Sequence, residues 1–115
     1  MKTRTLFRPV NQHELKLIEA TDYQKFPPRL PEQPIFYPVL NEAYATQITK
    51  EWNVPTYGEG YVLKFEVSEI YFQQFEVKNV GADMHDEIWV LAEDLDEFNN
   101  QIIGKIEVIG KYFQQ

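Results

Sequence analysis

Hydrophobic residues alternate most regularly in the middle of the chain, between residues 60 and 67. Apolar side chains occupy every second position there, with Lys64 and Glu66 between them. A period of two residues places alternate side chains on opposite faces of a strand. This pattern predicts a strand whose core-facing residues are Tyr61, Leu63, Phe65 and Val67.

The first predicted helix begins after Asn11. Asn11 and Glu14 have the spacing of a capping box, in which the Asn side chain accepts from an early helix amide and the Glu side chain reaches back to the cap. Leu15 and Ile18 then lie on one face. We expect a helix from about residue 12 to residue 20.

Apolar stripes predict two further helices. Tyr44, Ile48 and Trp52 repeat every four residues after an asparagine N-cap, so we expect all three to face the core. Pro55 and Gly58 are expected to end that helix. Two acidic residues open the third helix, whose expected buried residues are Leu95, Phe98 and Ile102.

The rest of the chain is predicted to form short strands and one long loop. Residues 22–34 include four prolines, which favour an extended surface segment over helix or sheet. Further strands are expected at 6–10, 35–39, 75–80, 87–91 and 105–109, and helices separate only some of them. We therefore predict a single α+β domain with a mixed or antiparallel sheet and about three helices over residues 1–115. Its ordered core is expected at about 6–110.

Composition excludes several classes of site. Among the 115 residues there is no cysteine, so a disulfide framework and a thiolate metal site are excluded. His13 and His85 are the two histidines and do not have the spacing of metal ligands, so we predict no metal site. The five glycines fit no phosphate-binding loop, and no serine lies in a nucleophile elbow.

Charge and hydropathy narrow the expected partners and location. With 18 acidic and 11 basic side chains the net charge is −7, which repels duplex nucleic acid. No apolar run approaches the roughly 20 residues that cross a bilayer, and the N-terminus does not resemble a signal peptide. We expect a cytoplasmic protein that binds neither a membrane nor duplex nucleic acid.

Three polar residues occupy positions where the local pattern favours apolar ones. Arg8 lies inside the first predicted strand, Tyr37 near the end of the second, and Glu87 at the start of the strand that contains Trp89. Ends of strands beside starts of helices are where small domains usually place ligands. These three residues are the main candidates for a site.

The order of the elements, with the segments LFRPV, FYPV, NEAYATQITKEW, YVLKFEV and EIWVLAEDL, resembles compact ADP-ribosyltransferase-like proteins. It is similar also to a family of small bacterial proteins described as ADP-ribosylation/crystallin proteins. The resemblance extends from Leu6 to about Ile109. It implies an ADP-ribosyltransferase-like fold that binds NAD or a related nucleotide and cleaves the bond between nicotinamide and ribose.

The resemblance also implies roles for particular residues. Arg8 would hold the dinucleotide, since a guanidinium pairs with diphosphate, and Tyr37 would stack on nicotinamide. Glu87 would be the catalytic carboxylate, hydrogen-bonded to the nicotinamide ribose and supporting an oxocarbenium-like transition state. Arg29, in the proline-rich loop, and His85, two residues before Glu87, are additional candidates for cofactor binding.

Two departures from the family pattern argue against transfer to protein arginine. Many arginine-modifying members have Glu or Gln where this chain has His85. Those members also carry a Ser-Thr-Ser-like stretch after the second strand, where this chain has Phe36-Tyr37-Pro38-Val39. A non-catalytic derivative of the fold is therefore an open alternative.

Each candidate residue also has a structural interpretation. Arg8 would pair with a surface carboxylate, Tyr37 would be a core or rim tyrosine, and Glu87 and His85 would be solvated polar groups. The corresponding function is a protein-interaction module, such as an immunity or regulatory protein. An apolar patch of Phe26, Leu30 and Phe36 with no cleft would favour the module, and a cleft joining Arg8 to Glu87 would favour the enzyme.

Overall fold

Three long strands form the centre of the molecule. This computed structural model describes residues 2–81 and 85–114. The strands are β1 (Thr3–Val10), β2 (Ile35–Phe36), β3 (Glu59–Ser68), β4 (Lys78–Asn79), β5 (Asp86–Glu87), β6 (Val90–Leu91) and β7 (Ile102–Phe113). β3 lies between β1 and β7 and is antiparallel to both.

The helices are short and are distributed along the chain between the strands. They are α1 (Gln12–Glu19), α2 (Glu42–Ile48), α3 (Val54–Tyr57), α4 (Glu69–Phe72) and α5 (Leu95–Asn100). A π-helical turn, Thr49–Asn53, joins α2 to α3, and a 3-10 turn, Ala92–Asp94, precedes α5.

The predicted α+β class is confirmed, and the sheets are antiparallel. None of the helices in the described residues has the length and apolar character needed to cross a membrane.

The central sheet is packed on both faces. The alternation predicted for β3 is confirmed, because its residues 61, 63, 65 and 67 are buried in the larger core together with side chains of α1 and α5. Val62 points to the opposite face and packs with Val39, Tyr44 and Ala45 in a smaller cluster. The sheet therefore separates α1 and α5 from α2.

The segment after β2 joins the central sheet to the short strands β5 and β6. Val39 exchanges two backbone hydrogen bonds with Phe7 of β1, at 2.8 and 2.9 Å, and also pairs with Glu87 of β5. β2 pairs with β6, and β5 pairs with β4. Residues 35–39 thus run between β1 and the 86–91 segment, which brings three distant parts of the chain to one edge of the sheet.

Capping of α1 follows the prediction in part. The Asn11 side chain accepts from the Glu14 amide at 2.8 Å, and Leu15 and Ile18 are buried. The expectation that the Glu14 side chain returns to the cap is wrong, because its carboxylate binds Arg8 instead. A cation near the end of β1 offers a stronger, charge-assisted partner than a backbone amide.

The second helix departs from its predicted stripe. Tyr44 is buried, but Trp52 is 70% exposed, so the placement of Trp52 in the core is wrong. A π-helical turn closes its hydrogen bonds five residues apart, and so it rotates the following residues away from an α-helical stripe. Pro55 does not end the helix: it lies in the first turn of α3, where a missing N–H costs little. Gly58, at φ 84°, does end it.

The C-terminal third differs from the prediction mainly in where its strands begin and end. Leu95 and Phe98 are buried on α5 as expected, but Ile102 belongs to β7, where it pairs with Val67. β7 is longer than the predicted strand at 105–109. The strands predicted at 75–80 and 87–91 are reduced to two-residue pairs. Residues 82–84, between these two predicted strands, lie outside the described part of the chain.

The proline-rich loop is anchored in the core through an aromatic cluster. Phe26 of this loop lies 4.8 Å from both Phe36 and Phe65, measured between ring centroids. Its backbone exchanges hydrogen bonds of 2.9 and 3.0 Å with the Asn99 side chain. Phe98 completes the cluster, with centroids 5.6 Å from Phe36 and 6.1 Å from Phe65.

We expect Phe98→Ala to lower the free energy of unfolding by about 3–5 kcal/mol, because it removes a fully buried ring from this cluster. Phe113→Ala makes the same chemical change at a residue that is 57% exposed, and it should cost less than about 1 kcal/mol. Urea unfolding followed by circular dichroism measures both. Equal losses would contradict the assignment of the core.

Candidate functional site

A pocket of about 430 Å³ opens where β1, the segment after β2 and the 87–89 segment meet. Its volume lies in the range of small-molecule sites, roughly 300–1,000 Å³. The pocket is lined by Arg8, Pro9, Tyr37, Val39, Ile48, Glu87 and Trp89. The structure therefore brings Arg8, Tyr37 and Glu87 together, although 29 residues separate the first two and 50 the last two in the sequence.

Arg8 is a buried cation on β1. It shares the core-facing side of the strand with Leu6 and Val10, and only 8% of its surface is exposed. Its Nε donates to Glu14 Oε2 at 2.6 Å and its Nη2 to Glu14 Oε1 at 3.0 Å. The guanidinium carbon also lies 4.6 Å from the centroid of the Phe36 ring. A buried charge needs such partners, because desolvation alone would be costly.

The ion pair leaves part of the guanidinium unused. A guanidinium has five N–H donors, and the pair with Glu14 occupies one on Nε and one on Nη2. The Nη1 group takes no part in this pair. Arg8 is therefore held in a fixed orientation and still has donors for a ligand.

Arg29 brings a second cation to the same aromatic ring. Its guanidinium carbon lies 6.0 Å from the Phe36 centroid, and its Nε donates to the Gln33 carbonyl at 3.3 Å. Burial lowers the pKa of Arg29, and the nearby charge of Arg8 lowers it further. Arg29 does not line the pocket itself. The charge of Glu14, which pairs with Arg8, also acts on Arg29 and partly opposes the lowering of its pKa.

Glu87 provides the carboxylate of the pocket. It lies on β5 opposite Val39 and is only 9% exposed. Its Oε1 accepts a hydrogen bond from the indole Nε1 of Trp89 at 3.2 Å. The interpretation of Glu87 as a plain solvated charge is wrong, because backbone pairing holds its strand against the segment after β2.

Two aromatic side chains stand at the rim of the pocket. Tyr37 is 39% exposed and Trp89 is 41% exposed. Their rings meet edge to face, with centroids 5.9 Å apart and an angle of 86° between planes. Trp89 was not among the candidates from the sequence. The signal that could have indicated it is its position two residues after Glu87, which places both on one side of an extended segment.

His85 lies beside the pocket and is held against α2. Its ring stacks on Tyr44 at a centroid distance of 4.4 Å, and its Nε2 is 2.8 Å from Gln47 Oε1. His85 does not line the pocket, and the interpretation of it as a freely solvated loop histidine is also wrong. Burial, followed by the charge of Glu87, raises the pKa of Tyr44 above its ordinary value.

No protein-family model, curated protein or solved structure matches the chain. Within the described residues no group of three His, Cys, Asp or Glu side chains could hold a metal ion. The arrangement combines guanidinium groups, a carboxylate and aromatic faces, which suits an organic ligand with anionic, hydroxyl and planar groups.

We expect Glu14→Gln to lower the free energy of unfolding by about 1–3 kcal/mol, because it removes the charged partner of a buried guanidinium. The matched control is Glu42→Gln, at an exposed acidic residue in the first turn of α2. It loses only the interaction with the helix dipole, worth about 0.3–1 kcal/mol. Chemical unfolding of both variants measures the difference. Equal effects would show that Arg8 does not depend on Glu14.

Proposed function

We propose that this protein binds NAD, or a related nucleotide, in the pocket and cleaves its nicotinamide–ribose bond. The observation that carries the proposal is the meeting of Arg8, Tyr37 and Glu87, from three separate segments, in one pocket. The resemblance noted in the sequence assigns a diphosphate contact, a nicotinamide contact and a catalytic carboxylate to these three residues. An ADP-ribosyltransferase-like fold is part of the same proposal.

Binding would use the cationic and aromatic groups of the site. The pair with Glu14 holds the Arg8 guanidinium in one orientation. Its remaining N–H donors are therefore already oriented for binding an anionic group. Arg29, beside the same Phe36 ring, adds positive charge that favours a diphosphate. Tyr37 offers a half-exposed ring for stacking on a planar group. His85 would act at most through Tyr44 and Gln47, because it does not line the pocket.

Cleavage would use Glu87. When the C1′–N bond of the nicotinamide ribose breaks, the electron pair leaves with nicotinamide, which becomes neutral, and positive charge develops on the ribose. A carboxylate hydrogen-bonded to the ribose stabilises that charge, and the effect is stronger at a buried position. Water, or another nucleophile, then adds at C1′ and gives up its proton to the solvent. Because of His85 and the Phe36–Val39 stretch, we do not propose protein arginine as the nucleophile.

The interaction module is less well supported by the arrangement of the apolar residues. Its expected surface patch requires Phe26, Leu30 and Phe36 to be exposed together. Leu30 is 55% exposed, but Phe26 and Phe36 are buried at 2% and 0%. Arg8 and Glu87 line one cleft, and a cleft that joins these two residues is the feature expected of the enzyme.

Ligand-observed NMR with millimolar NAD, followed over hours for released nicotinamide, tests the proposal. We expect NAD signals to report binding and nicotinamide to accumulate in the presence of the protein. Glu87→Gln should retain binding but release nicotinamide about 100-fold more slowly, since it loses a charge that acts on the transition state.

The matched control for this variant is Glu93→Gln, a change at an exposed carboxylate six residues further along the chain. It should behave as wild type. Absence of NAD binding at millimolar concentration would overturn the proposal. Equal nicotinamide release by the wild type and Glu87→Gln would remove Glu87 from the chemistry.

A further inference from the structure

Trp89 is an exposed aromatic residue held by three separate contacts. Its indole Nε1 donates to Glu87 Oε1 at 3.2 Å, and its ring meets Tyr37 edge to face. The Lys78 ammonium lies 4.6 Å from the centroid of the same ring. The other tryptophan, Trp52, is 70% exposed and lies outside the pocket lining.

These contacts restrain the side chain at three places. The hydrogen bond holds the nitrogen edge of the indole, Tyr37 packs against the ring, and Lys78 lies over one face. A side chain whose rotamer is locked by packing and hydrogen bonds is preorganised for its role. With 41% of its surface exposed, Trp89 is fixed and still accessible to a ligand.

We propose that Trp89 is a positioning residue of this site, which orients the carboxylate of Glu87 and offers its exposed surface to a planar ring of the ligand. The identity of that ligand rests on the proposed function. The corresponding ligand class is a planar heteroaromatic ring joined to a hydroxyl-bearing group, with the ring against Trp89 and Tyr37 and a hydroxyl donating to Glu87.

The hydrogen bond determines which carboxylate oxygen a ligand meets. An indole N–H only donates, so it binds one carboxylate oxygen and offers no acceptor that would compete for a ligand hydroxyl. By engaging Oε1, Trp89 leaves Oε2 for the ligand. A bond from N–H to a carboxylate is stronger than one between neutral groups, so it limits rotation of the carboxylate.

The first test needs no ligand. A ¹H–¹⁵N spectrum of the labelled protein contains two indole signals, one for each tryptophan, and Trp52→Phe assigns them. We expect the Trp89 indole proton to exchange with solvent more slowly than that of Trp52. Glu87→Gln should move the Trp89 signal and leave the Trp52 signal in place. A Trp89 signal that Glu87→Gln does not move would overturn the orienting role.

The second test adds NAD to the same sample. NAD should shift the Trp89 indole signal and leave that of Trp52 unchanged, whereas ADP, which lacks the nicotinamide ribose, should leave both unchanged. Trp89→Phe keeps a ring and removes the N–H, so it should bind NAD with about wild-type affinity. Its release of nicotinamide should fall about tenfold or more. Trp89→Leu, without a ring, should also lose affinity.

The outcomes separate this inference from the proposed function. If NAD binds and is cleaved but Trp89→Phe turns over like wild type, the orienting role is wrong and the proposed function stands. If NAD binds without shifting the Trp89 signal, the ring does not contact the ligand. If NAD does not bind, the proposed function and the ligand contact both fail, and the ligand-free spectra alone decide whether Trp89 orients Glu87.

Discussion

The backbone pairing of Val39 is the interaction on which the site depends. Val39 is hydrogen-bonded to Phe7 of β1 on one side and pairs with Glu87 of β5 on the other. Its neighbours make the hydrogen bonds on the second side, from the Leu40 N–H to the Asp86 carbonyl and from the Ile88 N–H to the Pro38 carbonyl, both at 3.0 Å. The short segment around Val39 therefore joins the three-stranded sheet to the 86–91 segment. Because side chains next to a paired residue are fixed in register with it, Arg8, Tyr37 and Trp89 come to the same edge. The pocket is a consequence of this pairing and needs no dedicated loop.

Burial of Arg8 imposes the second constraint. A guanidinium on the core-facing side of β1 has to be neutralised, and α1 begins close enough for Glu14 to do so. The same requirement explains why the Glu14 side chain binds Arg8 and does not return to the helix cap. The ring of Phe36 lies near both Arg8 and Arg29, so the aromatic core and the cationic part of the site are built from the same residues. We therefore expect substitutions in this core to change the geometry of the site.

Local patterns predicted the local features of this structure. The alternation in β3 and the caps at Asn11, Asn41 and Gly58 depend on nearby residues, and they are confirmed. Features that depend on distant contacts were not predictable. The π-helical turn moved Trp52 to the surface, and pairing with Val67 placed Ile102 in a strand. Phe26 anchors the proline-rich loop in the core, whereas the rest of the loop lies at the surface as predicted.

Three of the five predicted site residues line the pocket, and the physical reason for its geometry was not predictable. Arg8, Tyr37 and Glu87 were indicated as polar groups in apolar surroundings, whereas Trp89 fits its strand as an ordinary aromatic residue. Its role depends on a hydrogen bond to Glu87 that only the fold reveals. A crystal structure of the protein grown with NAD tests the central claim most directly. We expect ligand density in the pocket, with contacts to Arg8, Tyr37 and Glu87. Density elsewhere on the molecule, or a structure in which Glu87 lies away from Val39, would contradict it.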